Sequence, residues 1–584
     1  MASKADVTGA HWRGMAALRW LDTLRQREDR ILLVLSLVVG VLTGLAVVAF
    51  ILLTERLGLR LYPMGSAGWR RVLIPMAGSL AMGFLLWRYF PDARGSGVPQ
   101  TKAALFARDG VITLRTLLGK FFCTATTLAS GIPLGREGPS VQVGAGIASV
   151  LGRRLGLRPA SVKALIPIGA AAAIAAAFNT PLAAVLFSLE EIMGDLNAPV
   201  LGSVVLASAT SWLVLRLLLG NNPLFQVPQY QLVHPAEFGL YAVLAVAGGF
   251  VSVAFTKLLL ATRKYFLQLP RRTMWVQPLA GGVVTGLMAW KVPQVLGVGY
   301  GYVGDALNNH MAWKLMAILL LLKLVSVATS YGSGNAGGIF GPSLFMGAML
   351  GGALGSIVHH LWPAHTAQPG AYALVGMGAL FAGVVRAPMT SVVMIFETTR
   401  DYAVIVPLMI ANLVSFFLSS RLQKEPIYEA LAIQDGIHLP GGIAQRRQGL
   451  RQVAQVMRPA TNWLAAEMPI ASAVHATPAG RYRTFLVGDG RRLMGIVSQK
   501  QIEEEMAKGQ DTCVGDLIRG LGQVDFPHAH PDHALHVALE RMGADELDLL
   551  PVVSRADIHI PLGVVALEDV LASFGLPRIA SSDK

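Results

Sequence analysis

The sequence predicts a polytopic α-helical membrane protein made of two homologous halves, followed by a small soluble α/β tail. Three observations predict it. Of the 584 residues, 53% are hydrophobic and only 14% charged, against about 25% charged in soluble domains. Several apolar runs reach or approach the roughly 20 residues that a bilayer-spanning helix needs; Ile31–Leu53, Val200–Leu219, Leu240–Leu260, Met311–Val327 and Val404–Leu418 are the clearest. A Gly-x-x-Gly-Pro-Ser segment occurs twice in this apolar region and is accompanied by other paired residues at nearly the same spacing.

The chain begins with a mixed-charge, amphipathic segment, Met1–Arg30, that has no small-residue cleavage site and reads as cytoplasmic rather than as a signal peptide. The formal net charge of +14 reads as positive-inside loops and tails, not as nucleic-acid binding. Arg25, Arg27 and Arg30 precede the first span. Arg153, Arg154, Arg158 and Lys163 fill one loop, and Arg446, Arg447 and Arg451 follow the last span. All three groups, with both termini, are expected on the cytoplasmic side of a cell (inner or plasma) membrane. Cys123 and Cys513 form no disulfide or metal pattern.

The first glycine-rich break is Gly95-Ser96-Gly97-Val98-Pro99. The Ser96 hydroxyl, flanked by flexible glycines, suits a partly dehydrated anion held without a full positive charge. An ordinary loop turn explains the same residues. The second break, Ser130–Ser140, sets Arg136 and Glu137 among three glycines and two prolines. Pro139 suits the first turn of a helix that Val141 to Leu151 continues. Glu137 then lies among unpaired helix N–H groups, which attract anions. A carboxylate there occupies an anion site and leaves when protonated. The alternative is a structural Arg136–Glu137 ion pair.

Gly135-x-x-Gly138-Pro139-Ser140-Val141-x-x-Gly144-Ala145 returns as Gly338-x-x-Gly341-Pro342-Ser343-Leu344-x-x-Gly347-Ala348, 203 residues on (135 to 338). Lys120 and Lys323 share that spacing, and Gly169, Pro181 and Glu190 match Gly376, Pro388 and Glu397 at 207 (190 to 397). Two halves follow, about 32–219 and 240–418. Duplications of this kind build transporters, with broken helices meeting at the substrate.

Gly-Ser-Gly-Val-Pro, Gly-Arg-Glu-Gly-Pro and Gly-Gly-Ile-Phe-Gly-Pro, in that order, closely resemble the three signature segments of the ClC family of chloride channels and chloride/proton antiporters. The resemblance covers residues 31–432. It implies a homodimer in membrane lipid, each subunit an inverted repeat of tilted, broken helices around its own anion pathway. It implies that Ser96 coordinates the central anion, that Glu137 is the external gate, that the backbone amides of Ile339 and Phe340 contact the anion, and that Tyr428 supplies a second hydroxyl. Hydroxyls and amides bind chloride yet release it.

Glu190 and Glu191 end the apolar segment Ala176–Leu189. Neighbours on a helix point about 100° apart, so the two need not share a role. Glu190 has Glu397 as its repeat partner, which predicts a structural role for both, such as capping or pairing with basic residues; Glu191 is answered by Thr398 and breaks the repeat. In the antiporters of the family this position is the internal proton-transfer acid, and channels generally lack an acid there. A solvated helix end is the plainer alternative. Lys120, Lys323 and Arg386 read as structural, pairing with Glu190 and Glu397.

After a linker at 433–452 the composition turns soluble. Thr484–Val487, Leu493–Val497 and a helix at Gln499–Lys508 are followed by the same order at Leu549–Val553, Leu562–Val565 and Glu568–Phe574. This resembles a tandem pair of cystathionine-β-synthase (CBS) domains, at 453–507 and 512–575, opening at Val453–Met457. Such pairs often bind adenine nucleotides through a Ser/Thr and an Asp. Ser498 and Asp569 match, but Gln501 and Ala566 stand where their companions belong, so little or no binding is expected and no other cofactor. His528, His530, His533 and His536 read as solvated surface, not a metal site.

The sequence thus describes a transporter exchanging chloride for protons, not an enzyme: no His-Glu-x-x-His motif lies in the spans. A passive chloride channel of the same fold is the alternative, and a CBS-regulated cation transporter a distant one.

Overall fold

The computed structural model describes residues 5–63, 67–196, 200–220, 223–400, 402, 404–437, 451–476, 482–508, 512–520, 526–555 and 557–574. The chain divides into two compact units, Met1–Leu439 and Pro440–Lys584. Much of the expected linker, including Arg446 and Arg447, lies outside the described residues.

In the first unit, one helical order occurs twice. Ala5–Leu61, Gly68–Arg88, Val98–Ala107, Leu114–Ala129, Glu137–Arg154, Pro159–Phe178, Pro181–Phe187 and Leu201–Leu219 are answered by Glu237–Gln268, Pro278–Lys291, Tyr300–Leu307, Trp313–Gly332, Phe340–Leu361, Pro369–Val385, Pro388–Thr399 and Ile405–Leu422. One further helix, Ile427–Gln434, follows. Seven helical stretches among the described residues are long and apolar enough to cross a membrane. Two of them, Pro159–Phe178 and Phe340–Leu361, were not evident as apolar runs, because alanine and glycine dilute their hydropathy. No proline interrupts the chain from Ala5 to Leu61, and one helix runs through residue 30.

Proline starts and left-handed stops set the boundaries. Pro159, Pro181, Pro369 and Pro388 stand in the first turn of their helices, where the missing N–H is harmless. Asn179 (φ 61°) and Arg386 (φ 66°) end corresponding helices in the left-handed conformation. Arginine rarely adopts it. Here its guanidinium is tied to the carbonyls of Lys424 (2.8 Å), Ser419 (3.3 Å) and Gln423. Within each half, two helices cross at glycine. A Cβ on Gly144 would meet the Gly169 carbonyl, and one on Gly347 the Gly376 carbonyl, the close approach that small residues permit between helices in lipid.

Reciprocal contacts join the halves. Gly135 and Gly338 exchange two backbone hydrogen bonds of 2.7 Å each. Glu190 accepts the N–H groups of Met389 (3.3 Å) and Thr390 (2.8 Å), and Glu397 those of Leu182 (3.1 Å) and Ala183 (2.7 Å). Each glutamate therefore caps the opposite half's proline-started helix. When residue i touches j and the counterpart of i touches the counterpart of j, a two-fold axis relates the halves. Lys120 and Lys323 are structural, but not by pairing with these glutamates. Lys120 Nζ donates to the carbonyls of Ala93 (2.9 Å) and Gly95 (2.6 Å), and Lys323 Nζ to those of Val295 (3.1 Å) and Gly297 (2.6 Å). The glutamates are already engaged by helix N-termini.

The second unit is α/β. Trp463–Leu464 pairs in parallel with Thr484–Gly488, which pairs antiparallel with Leu493–Ser498; Leu549–Val553 and Pro561–Ala566 form a separate antiparallel pair. Helices Gln499–Ala507 and Leu567–Ser573 follow the two hairpins, each within two residues of its predicted place.

Candidate functional site

The Gly135–Gly338 bridge sets the starts of Glu137–Arg154 and Phe340–Leu361 against each other, so that N-terminal amides from both halves converge. The first N–H groups of a helix have no intrahelical acceptor and carry the positive end of its dipole. Glu137 lies in this place and is fully buried. Its Oε2 accepts the Gly341 N–H at 3.2 Å, and its Oε1 accepts the Tyr300 hydroxyl. The carboxylate thus occupies a helix N-terminus, as the sequence suggested, but that of the opposite half rather than its own. The alternative Arg136–Glu137 pair is not formed: Arg136 lies 3.5 Å from Glu55 and 5.5 Å over the Tyr300 ring.

The Ser96 loop packs onto the same place. Gly95 (φ 95°) and Gly97 (φ 105°) take up conformations closed to L side chains, and a Cβ on Gly97 would overlap the Gly138 carbonyl. Ser96 is fully buried, with its Oγ making no hydrogen bond within the protein. The Tyr428 hydroxyl is in the same condition. An unmatched buried hydroxyl costs about 1–3 kcal/mol, a cost that a hydrogen-bond acceptor bound beside it would offset. Tyr331, which the sequence reading missed, lies against Ser96. Tyr428 is within electrostatic reach of Tyr331, Glu137 and Glu191.

Ile339 and Phe340 are buried at the start of their helix. The Phe340 ring is packed among Phe178 (4.8 Å), Phe187 (5.5 Å) and Phe381 (4.4 Å between centroids). Its side chain is core, and only its backbone is available to a ligand.

Glu190 and Glu191 share a π-helical turn, Ser188–Met193, and diverge as expected. Glu190 caps the second half. Glu191 is buried, not solvated, and forms an ion pair of 2.8 Å with Lys102. Lys102 belongs to Val98–Ala107, the helix that begins directly after the Ser96 loop. The missed signal was a lone lysine in a segment otherwise fit for burial. A cavity of about 330 Å³, lined among others by Arg94, Arg108, Arg263, Gly95 and Tyr331, leads toward the same loop. Asp92 and Asp435 line it as well, the latter ion-paired with Arg263.

In the tail, Ser498 caps Gln499–Ala507 through the Gln501 N–H (3.3 Å), while Asp569 is ion-paired with Arg458. The rings of His528, His530 and His533 form a row, with centroids 5.0 and 4.9 Å apart. Their Nδ1 atoms are each within hydrogen-bond distance of local backbone. No metal-holding group of His, Cys, Asp or Glu occurs among the described residues.

The family described as "Voltage gated chloride channel" matches residues 77–420. A ClcB-like chloride channel protein of Ralstonia nicotianae is 34% identical over 379 residues, 64% of this chain and 88% of that protein. The H(+)/Cl(-) exchange transporter ClcA of Vibrio campbellii is 33% identical, over 60% of this chain and 76% of that one. Among solved structures, a slow cyanobacterial Cl-/H+ antiporter superposes with a TM-score of 0.64 at 26% identity, over 69% of this chain and 97% of that one.

Proposed function

The chain belongs to the voltage-gated chloride channel (ClC) family, and from that premise we propose that it exchanges chloride for protons across the cell or inner membrane. One observation carries the reading: the Glu137 carboxylate takes its hydrogen bonds from a helix N-terminus and a hydroxyl, the kinds of donor that bind chloride. Ionised, it competes with the anion. Protonated, it loses its charge and yields the place. Each proton taken up therefore accompanies an exchange of carboxylate for chloride. Ser96 and Tyr428 offer the next hydroxyls, and the amides of Ile339 and Phe340 complete the donor set.

Glu191 is the second proton-handling acid in this reading. Its burial and its pairing with Lys102 support a role that a solvated helix end would lack. The family resemblance makes the working unit a homodimer with cytoplasmic termini. The recurrence of strand, strand and helix supports reading the tail as a CBS pair that modulates transport. The protein is a transporter and not an enzyme.

The test is purified protein in liposomes. A chloride gradient is expected to drive protons uphill. Chloride flux with no uphill proton movement would identify a passive channel and remove the role given to Glu191.

A further inference from the structure

The loops Gly95–Pro99 and Gly297–Gly301 are repeat partners, a relation the sequence did not disclose. Each is held by a buried lysine through two carbonyls. Each has two glycines at positive φ: Gly95 and Gly97 (95° and 105°), Gly297 and Gly299 (62° and 87°). Each opens into a short helix. In this frame, 202 residues apart (95 to 297), Ser96 is answered by Val298 and Val98 by Tyr300. The two loops each present one hydroxyl, at different positions. That of Ser96 is unmatched within the protein; that of Tyr300 is donated to Glu137.

The Tyr300 ring is held on both sides. Phe225 meets it edge-on, with centroids 5.9 Å apart, and the Arg136 guanidinium lies 5.5 Å over it, itself 3.5 Å from Glu55. We propose that Tyr300 is a positioning residue for the gate: its hydroxyl holds the ionised Glu137 carboxylate in the anion place and sets the pH at which that carboxylate lets go. The proposal rests on Glu137 being the gate. A donor to a carboxylate favours its charged form, so the phenol favours the closed gate over protonation and over chloride. The other groups facing Glu137 are the Gly341 N–H from the second half and Tyr428 from the helix Ile427–Gln434, while Arg136, with Glu55 of the first helix behind it, faces the Tyr300 ring. Replacing Tyr300 by phenylalanine leaves every formal charge among them in place.

The experiment measures chloride flux from liposomes while pH is varied equally on both sides. Tyr300→Phe is expected to shift the half-activation pH upward by about one unit, with exchange still coupled to protons. Phe225→Leu keeps the hydroxyl but loosens the ring, and a smaller upward shift is expected. Adding Tyr300→Phe to Glu137→Gln should change nothing further. If Glu137→Gln abolishes the pH dependence while either the Tyr300→Phe or the Phe225→Leu profile coincides with that of the unaltered protein, Tyr300 does not position the gate. If Glu137→Gln itself keeps the pH dependence, the gate reading fails first, and the two failures are told apart.

Discussion

In the first half, Lys120 ties down the Gly95 loop and Glu397 caps its proline-started helix; in the second, Lys323 ties down the Gly297 loop and Glu190 caps the matching helix. The halves agree wherever a side chain satisfies backbone. They disagree at a few positions: Glu137 is answered by Phe340, Glu191 by Thr398, Ser96 by Val298 and Tyr300 by Val98. A buried lysine among carbonyls is needed once per half, because each loop leaves the same oxygens inward. In the proposed mechanism a gate that carries a proton is needed once per pathway, so its residues need not keep the symmetry. On this proposal agreement between halves marks construction, and disagreement marks transport.

Perturbing the asymmetric Glu191 should have the largest effect. Lys102→Met leaves a buried carboxylate without its partner and is expected to cost about 3–5 kcal/mol, read as a large fall in thermal midpoint. Lys102→Met with Glu191→Gln should recover most of that stability while proton movement is abolished. Glu191→Gln alone should stop protons yet leave chloride flux responsive to pH, since the Glu137 carboxyl is intact. Proton movement that survives in these variants would break the assignment.

The symmetric pair should behave otherwise. Glu190→Ala and Glu397→Ala each remove a cap from two N–H groups and should each destabilise by about 0.5–2 kcal/mol. Thermal unfolding of the two variants should give similar losses, and the protein that remains folded should exchange chloride and protons in the original ratio. A change of coupling in only one of them would show that construction and transport are not separable there.

Smaller effects sharpen the comparison. Ser96→Pro removes the hydroxyl of one loop and should raise nitrate over chloride in competition; unchanged selectivity would place that loop away from the ion. Ending the chain at Ala444 should alter the rate of exchange without removing it, and calorimetric titration of the full chain with adenine nucleotides should show weak binding or none. A dimeric truncated protein unable to move chloride would make the tail part of the machinery.

Much of this was legible in the sequence. The repeat was visible because glycine and proline at helix crossings and starts cannot be exchanged freely, so 135/338, 169/376 and 181/388 kept their identities. Ser96, Glu137 and Glu191 stand out because they are polar residues in apolar surroundings, and the roles expected of them come from the resemblance of their segments to the ClC signatures. Partners were not legible. Lys102 is 89 residues from Glu191 and Tyr300 is 163 from Glu137; nothing local marks such contacts. Lys120 and Lys323 were read as salt-bridging, because a sequence displays acids but not inward-facing carbonyls. The relation of the Gly95 and Gly297 loops was hidden by divergence at the residues that carry hydroxyls.

The most direct test of the account is Glu137→Gln, which keeps the side chain's size and removes its charge. Chloride flux, proton flux and their pH dependence would be measured together in liposomes. The account predicts that chloride passes freely, that protons no longer move with it, and that the flux loses most of its pH dependence. A folded Glu137→Gln protein that stays proton-coupled and pH-sensitive would contradict it and remove the gate from this residue.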